Sequence, residues 1–465
     1  MFTAYTWQDW LAEPEKLGLL VKIIADYKAG PDFRHALTAQ DYFDGDNVEI
    51  SRKVILKANA IPKTDEQTGA VTRVLANQEI AGNRLANGFF TRSVMQQNQF
   101  LLGNGVRLKD QSTKDRLGAG FDKRLEAMGE SALVQGVCWG FWNENHIEII
   151  QAAADPLSGF VALLDERTGV PMLGVQFWQL TANKPMYVRL FELDGVTLYR
   201  KGKDGNLQEQ EPKRSYVQRV STDAMGATVV GESNYTALPV IPLYANKRRA
   251  SELTRPIKSK IDAYDRIASD FVDNLDRAND VYWVLTNFGG GTQQVLEMIE
   301  QINKIRAVVN QGNGMGAATA EPHTIEVPYA ARQTALSILR TALYEDFMGL
   351  DMNSIKGGSL TNVAIEAASA DLNMKANAYE WQVFQFVQKL LQLIGVETED
   401  IKFRRQNISN ANEVVEAIYM ARGDLSRRKA LELNPYILED EIDKIMDDLA
   451  VEEFAGVPMQ APVEE

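Results

Sequence analysis

Between Leu253 and Asp280 the apolar residues Ile257, Ile261, Tyr264, Ala268, Phe271, Leu275 and Ala278 return at alternating steps of four and three. That alternation is a heptad seam. It confines the stretch to one long helix with a narrow stripe against a partner. At about 100° per residue, Asp262, Asp265, Asp270, Asp273, Asp276 and Asp280 fall on the opposite face. No lysine is interleaved with them, so the ordinary i,i+4 acid–base support is missing. Two readings stand: a solvated helix face, or a surface that must repel an anion. A metal site is excluded, because a straight helix spreads the six acids over roughly 27 Å.

The chain beyond Asp280 extends the pattern. A second helix begins at Pro328, which suits a first turn, and runs to about Phe347 with the stripe Leu336, Leu339, Leu343 and Phe347. Its other face, Gln333, Thr334, Ser337 and Thr341, is uncharged. Between the two helices lies a compact lobe. It has strand-like runs at Val281–Leu285, Ala307–Asn310 and His323–Val327, and a short helix near Gln293–Lys304. The flanking helices can therefore lie antiparallel. Next comes the Gly-punctuated loop Gly349–Ser359, then a helix from Thr361 or Asn362 to Ile394 with Gly395 as its stop. That helix spans roughly 50 Å. Tyr379, Val383, Phe386, Val387, Leu390, Leu393 and Ile394 form its apolar side, and Gln382, Gln385, Gln388 and Gln392 an uncharged opposing stripe.

The rest of the chain supplies other elements. Residues 1–70 read as helix, loop and short helix. A helical segment with Leu85, Phe89, Phe90, Val94, Met95 and Phe100 runs to Gly103, and another helix lies near Lys114–Met128. From Ile147 to about Tyr244 the pattern turns to strands, near Ile147–Ile150, Gly174–Leu180, Met186–Leu193 and Val196–Arg200. Thr398–Phe403 reads as an edge strand. Short helices come next, at Asn410–Ala421, Arg427–Leu433 (capped by Ser426) and Glu439–Leu449, before a tail expected to be disordered. The fold class is α+β.

Composition removes several function classes. A net charge of −14 argues against a broad basic grip on phosphate, though not against a surface that lets DNA slide past. Cys138 is the one cysteine, in an apolar run, and reads as a buried inert thiol. The N-terminus lacks a signal-peptide pattern and no apolar run is long enough to span a bilayer, so no membrane partner is expected. There is no P-loop. Gly312–Ala317 matches a dinucleotide fingerprint only formally, because no convincing helix comes after it. His35, His146 and His323 lack metal-ligand spacing. No cofactor and no enzymatic activity are expected.

The order of Pro239-Val-Ile-Pro-Leu-Tyr-Ala-Asn246, helix, small lobe, helix, Gly-rich loop and a long helix carrying Leu372-Asn-Met-Lys-Ala-Asn377 resembles the portal proteins of tailed bacteriophages. Asp41–Asn47 and the Gln99–Gly103 turn resemble the same family's N-terminal part. The resemblance implies a wing over 1–244, stem helices at 245–280 and 328–348, a clip at 281–327, and a tunnel loop at 349–361. A long wing helix with an edge strand would occupy 362–406, a crown 407–455 and a tail 456–465. It also implies a ring of about twelve subunits at one capsid vertex, carrying double-stranded DNA through its channel. Expected partners are the terminase large subunit, head-completion or adaptor proteins, and the major capsid and scaffolding proteins. Assembly would take place in the host bacterial cytoplasm, and the protein would end in the virion. On this view the six stem aspartates line the channel at least in part. Asp351, Asn353, Ser354, Lys356, Gly357, Gly358 and Ser359 belong to the tunnel loop, where Lys356 is the cation that touches the backbone transiently. Trp283, Phe288, Asn310, Gln311 and Met315 would offer the clip to its docking partners. A coiled-coil scaffold without a channel is the other reading, but it has no need of the β-rich region or the inserted lobe.

Overall fold

The computed structural model describes residues 3–64, 71–202, 204–223, 226–278, 282–286, 319–323, 329–351, 362–396, 400–405, 411–421, 423–434, 436–437 and 441–455. The architecture is mixed α+β with antiparallel sheets. Two hydrophobic cores share one strand. Val137–Asn143 lies between Val240–Tyr244 and His146–Gln151 in a three-stranded sheet. Successive strand residues point to opposite faces. Val137, Trp139 and Phe141 therefore enter one core, while Cys138 and Trp142 enter the other. A strand covered on both faces needs no polar alternation, which is why this run is continuously apolar. Gly140 falls on the second face. A Cβ there would meet Met128 Cε at 2.9 Å and Phe386 Cζ at 3.0 Å.

The first core is roofed by a six-stranded antiparallel meander. Its strands lie in the order Leu207–Arg214, Gly195–Lys201, Tyr187–Glu192, Pro171–Trp178, Ser158–Leu164 and Ala153–Asp155. Helices Lys16–Ala29 and Pro31–Asp44 pack Leu20, Ile23, Phe33 and Ala36 into it. In the second core meet the helices Phe89–Leu102, Phe121–Gln135 and Ala370–Leu393, the last through Tyr379, Val383, Phe386, Val387 and Leu390. Ile257 and Ile261 of the Arg255–Ala278 helix reach this core, as do Leu343 and Phe347 of the Tyr329–Phe347 helix. Farther along, the helix pair leaves it: Leu275 is 41% exposed and Ile338 62%.

Four expectations change. Residues 54–81, of which those up to 70 read as loop and short helix, contain a hairpin whose register runs from Val54 opposite Ala81 to Thr64 opposite Val71. Pro62 sits within the first strand, and each strand of a two-stranded ribbon is an edge, where proline is tolerated. The helix expected over 114–128 is two, Gln111–Arg116 and Phe121–Gln135, parted by Gly118 and Gly120 at φ +85° and +77°. The long helix expected from Thr361 or Asn362 to Ile394 is likewise two, Asn362–Ala368 and Ala370–Leu393. At the junction Ser369 Oγ donates to Glu366 O (3.1 Å) and Asn373 Nδ2 donates to Ser369 O (3.1 Å). Side chains that compete for helix carbonyls disturb the ladder. Gly395 does stop the helix, at φ +81°, with Val396 N donating to Leu391 O as a Schellman turn requires. Finally, the last helix is Ile442–Ala455, shifted from 439–449.

Other elements stand where expected. Ile401–Phe403 pairs with Val106–Leu108, and Ser426 Oγ accepts from Lys429 N at 3.2 Å to cap Arg427–Leu433. The strand expected at His323–Val327 is Thr319–His323 instead, and 324–327, the expected elements at 293–304 and 307–310 and the tail 456–465 lie outside the described residues. Among the described residues, no helix is long and apolar enough to cross a membrane.

Candidate functional site

The Arg255–Ala278 and Tyr329–Phe347 helices do lie antiparallel. Lys260, near the start of the first, pairs with Asp346 at the end of the second (2.6 Å). At the other end Phe271 meets Tyr329 edge-on at 5.2 Å, and Arg332 Nη1 donates to Asp270 O at 3.0 Å. Phe89 wedges between them, edge-on to Tyr264 at 5.2 Å and to Tyr344 at 5.9 Å.

The acidic face of the first helix is not open. Residues 83–87 lie along it, and their backbone N–H groups are taken in alternation. Asn87 N donates to Asp265 Oδ1 (3.0 Å), Leu85 N to Ser269 Oγ (2.9 Å) and Asn83 N to Asp273 Oδ1 (2.8 Å). Positions 265, 269 and 273 are spaced by about 6 Å along a helix axis. Two residues of extended chain cover about 6.6 Å. The two periods match, so an i, i+4, i+8 row of acceptors can hold every second amide of a strand-like strap.

Side chains tighten the same row. Asn87 Nδ2 and Asn47 Nδ2 donate to Asp265, and Asn83 Nδ2 donates to Asp273 at 2.8 Å. Lys53 bridges Asp270 (2.8 Å) and Asp273 (2.6 Å). Asp262 accepts from the Tyr42 hydroxyl and from Lys258, the latter at 2.8 Å. Asp265 is 1% exposed and Asp273 7%. Burial pushes the Asp265 carboxyl up to about 6, against the pull of the Asn47 and Asn87 hydrogen bonds. Burial also opposes ionisation of Asp273, but Lys53 and Asn83 outweigh it and hold that carboxyl below its ordinary range.

The expectation of an open anionic face is thus corrected for Asp265 and Asp273, which are buried, while Asp270 keeps 47% of its side chain exposed. Asp262, Asp265, Asp270 and Asp273 are engaged by partners from residues 42–87 and by Lys258 on their own helix. Asp276 lies in the same helix, and Asp280 lies outside the described residues. The signal missed in the sequence was the Asn83-Arg-Leu-Ala-Asn87 repeat, with short amide side chains at the two ends of the strap.

After Phe347 the chain is pinned where the Gly-rich loop begins. Gln96 clamps Leu350, its Oε1 accepting from Leu350 N (3.0 Å) and its Nε2 donating to Leu350 O (3.1 Å). Asp351 pairs with Arg340 at 2.8 Å. Asn353, Ser354, Lys356, Gly357, Gly358 and Ser359 lie outside the described residues. Trp283 stands in the strand Tyr282–Thr286, opposite Pro322 of Thr319–His323. Phe288, Asn310, Gln311 and Met315 again lie outside.

Among the described residues, no three His, Cys, Asp or Glu side chains stand so as to hold a metal ion. Burial pushes the Cys138 thiol up to about 12, far from a nucleophile's range.

Comparison with known proteins decides the family. The family described as "Phage portal protein, SPP1 Gp6-like" matches residues 27–453, nearly the whole chain. The chain belongs to that portal family. Its portal relatives are distant. The portal protein of Clostridium phage phiCD119 is 23% identical over 378 residues, covering 77% of this chain and 78% of the relative. That of Bacillus phage SPP1 is 27% identical over 231 residues, covering 46% of this chain and 44% of the relative. A solved structure titled "Neck of empty GTA particle computed with C6 symmetry" aligns with 75% of this chain and 90% of its own, at 12% identity and a TM-score of 0.40. Within the portal match fall the strap, the helix pair, Asp351 and Trp283.

Proposed function

We propose that this chain is the subunit of a portal ring at one vertex of a phage capsid, with about twelve copies around a channel for double-stranded DNA. The observation that carries this is the family match over residues 27–453, which includes both long helices and the lobe between them. In this reading the helix pair is the stem, and residues 281–327 are the clip on which the terminase large subunit docks during packaging and a head-completion protein afterwards. The loop 349–361 is the tunnel loop, and 407–455 the crown. Capsid and scaffolding proteins surround the ring, which assembles in the host bacterium and stays in the virion. The role is structural, without catalysis.

The strap changes which charges belong to the lumen. Asp265 and Asp273 are buried against the strap, while Asp262 pairs with Lys258 and Asp270 with Lys53, so the stem's unpaired anionic contribution to a channel would fall to Asp276 and Asp280 and to the ring's net charge of −14 per subunit. Such a wall repels phosphate and lets DNA pass without adhering. Electron microscopy and native mass of the purified full chain test the reading. Rings with a central hole and about twelve copies are expected. A compact dimer with a cleft would overturn it.

A further inference from the structure

Two clusters of like charge, one of each sign, stand on this chain without counter-ions. The first is basic. Lys247, Arg248 and Arg249 occupy the turn between Val240–Tyr244 and the Arg255–Ala278 helix. Asn246 fixes that turn with one side chain, its Nδ2 donating to Ala250 O (2.8 Å) and its Oδ1 accepting from Ala250 N (3.3 Å). Arg249 is held at φ +55°, a left-handed backbone that few side chains adopt. Its guanidinium lies 4.7 Å from the centre of the Tyr244 ring. Lys389 of the Ala370–Leu393 helix adds a fourth cation, and partial burial and the Arg249 charge both push its amine down. Among the described residues, no acid pairs with Lys247, Arg248 or Lys389.

The second cluster is acidic. Asp41, Asp44 and Asp46 crowd the C-terminal end of the Pro31–Asp44 helix, whose last turn carries no basic residue. That is the negative end of the helix dipole, where carboxylates are disfavoured. Gly45, at φ +88°, turns the chain back so that Asp46 N donates to Asp41 O at 2.8 Å. Glu130 joins them from the Phe121–Gln135 helix, which packs against this one. Burial raises the carboxyls of Asp41 and Glu130. Asp46 and Asp44 raise the first further, and Glu126 and Asp44 the second. Arg92 lines the same groove as Asp44 but gives its Nη1 to the Tyr344 hydroxyl at 2.9 Å. Among the described residues, no cation pairs with Asp41, Asp44, Asp46 or Glu130.

We infer that the two clusters are the two sides of one contact between adjacent copies, the 247–249 turn and Lys389 of one subunit against the 41–46 helix end and Glu130 of the next. The inference rests on the ring reading above. A closed ring of identical copies is built from two different patches that meet head to tail. Charge argues for a second copy as the occupant, because the chain carries both signs and its neighbour supplies to each cluster the sign it lacks. Phosphate would satisfy the basic turn alone and leave the acidic helix end unexplained.

Two full-length variants test this. Lys247→Glu with Arg248→Glu makes both patches acidic, and Asp44→Lys with Asp46→Lys makes both basic. All four side chains are exposed, so each variant monomer is expected to keep the wild-type circular dichroism and to melt no lower. Alone, each is expected to form rings that dissociate at least tenfold more readily than wild type on dilution, read by native mass. Mixed in equal amounts, the two are expected to regain wild-type durability in rings holding equal numbers of each, since every contact then sets an acidic patch against a basic one. Either variant alone forming rings as durable as wild type, or a mixture no more durable than its components, would overturn the inference and leave the ring reading standing. Intact rings of the first variant that lose DNA retention would assign the turn to phosphate and also overturn it. A wild-type chain that forms no ring at any concentration would overturn both readings.

Discussion

At the scale of single residues, the molecule shows how an acid can be explained by its acceptor geometry rather than by its charge. Asp265 sits under the strap with Asp262 one turn away, and burial raises its carboxyl to about 6. The folded chain therefore holds a proton that the unfolded chain, with its ordinary value of 3.8, gives up earlier. By linkage, the stability this group contributes is full below about pH 4 and falls as pH rises toward and through 6, then stays level. Asp265→Asn should erase that slope. Melting of the variant and wild type from pH 4 to 7.5 checks it: the stability difference should shift in favour of the variant as pH rises. A parallel pair of curves would remove Asp265 as the titrating group. Asp273 behaves oppositely, since its carboxyl is held low by Lys53 and Asn83. Asp273→Ala strands the Asn83 donors and one contact of Lys53, and a loss of about 2 kcal/mol is expected in urea unfolding. The identity of these acids was plain in the sequence. Their fate was not, because the Asn83–Asn87 strap that uses them lies some 180 residues away along the chain.

Among elements, legibility tracked how many residues had to agree. The Ala370–Leu393 helix buries Tyr379, Val383, Phe386, Val387 and Leu390, and its 3.6 period was readable because each turn repeats the demand. The break before it hangs on two side chains, the Ser369 hydroxyl turning back to Glu366 O and the Asn373 amide to Ser369 O. The hairpin 54–81 escaped because its residues follow no strict apolar–polar alternation. Other junctions rest on single glycines. Gly136 ends the Phe121–Gln135 helix at φ +90°, and a Cβ there would meet Ala250 C and Ser251 N at 2.8 Å. That contact ties the helix end to the segment leading into Arg255–Ala278, whose Glu252 N donates to Leu133 O at 3.0 Å. Gly136→Ala combines left-handed backbone strain with a clash against unyielding backbone. It should cost at least about 2 kcal/mol, read as a lowered urea midpoint, whereas Gly169→Ala, at φ +65° in open space, should cost less.

Across the whole molecule, the long antiparallel pair is held by two different means. Up to Ile261 the first helix is part of the second core, which also takes Tyr379 and Phe386. Past that point its apolar residues are only half-buried, in contacts such as Tyr264 with Phe89 and Phe271 with Tyr329, and the polar ladder from 265 to 273 against the strap holds its other face. Core packing is cooperative with the rest of the domain, but a row of side-chain-to-amide bonds at the edge can open by itself. Hydrogen exchange should therefore separate the two. In the wild type the amides of Asn83, Leu85 and Asn87 should be protected, because each is bonded to the helix face. In an Asp265→Ala, Asp273→Ala double variant those amides should exchange at least about a hundredfold faster, as local opening replaces global opening, while amides within 376–390 keep their wild-type protection. Equal loss in both regions would mean that strap and core unfold as one unit. Retained protection of the strap would mean that something other than the carboxylates holds it. The expected split leaves a helix pair whose core end is rigid and whose far end carries an adjustable clasp, beside the base of the 54–81 hairpin.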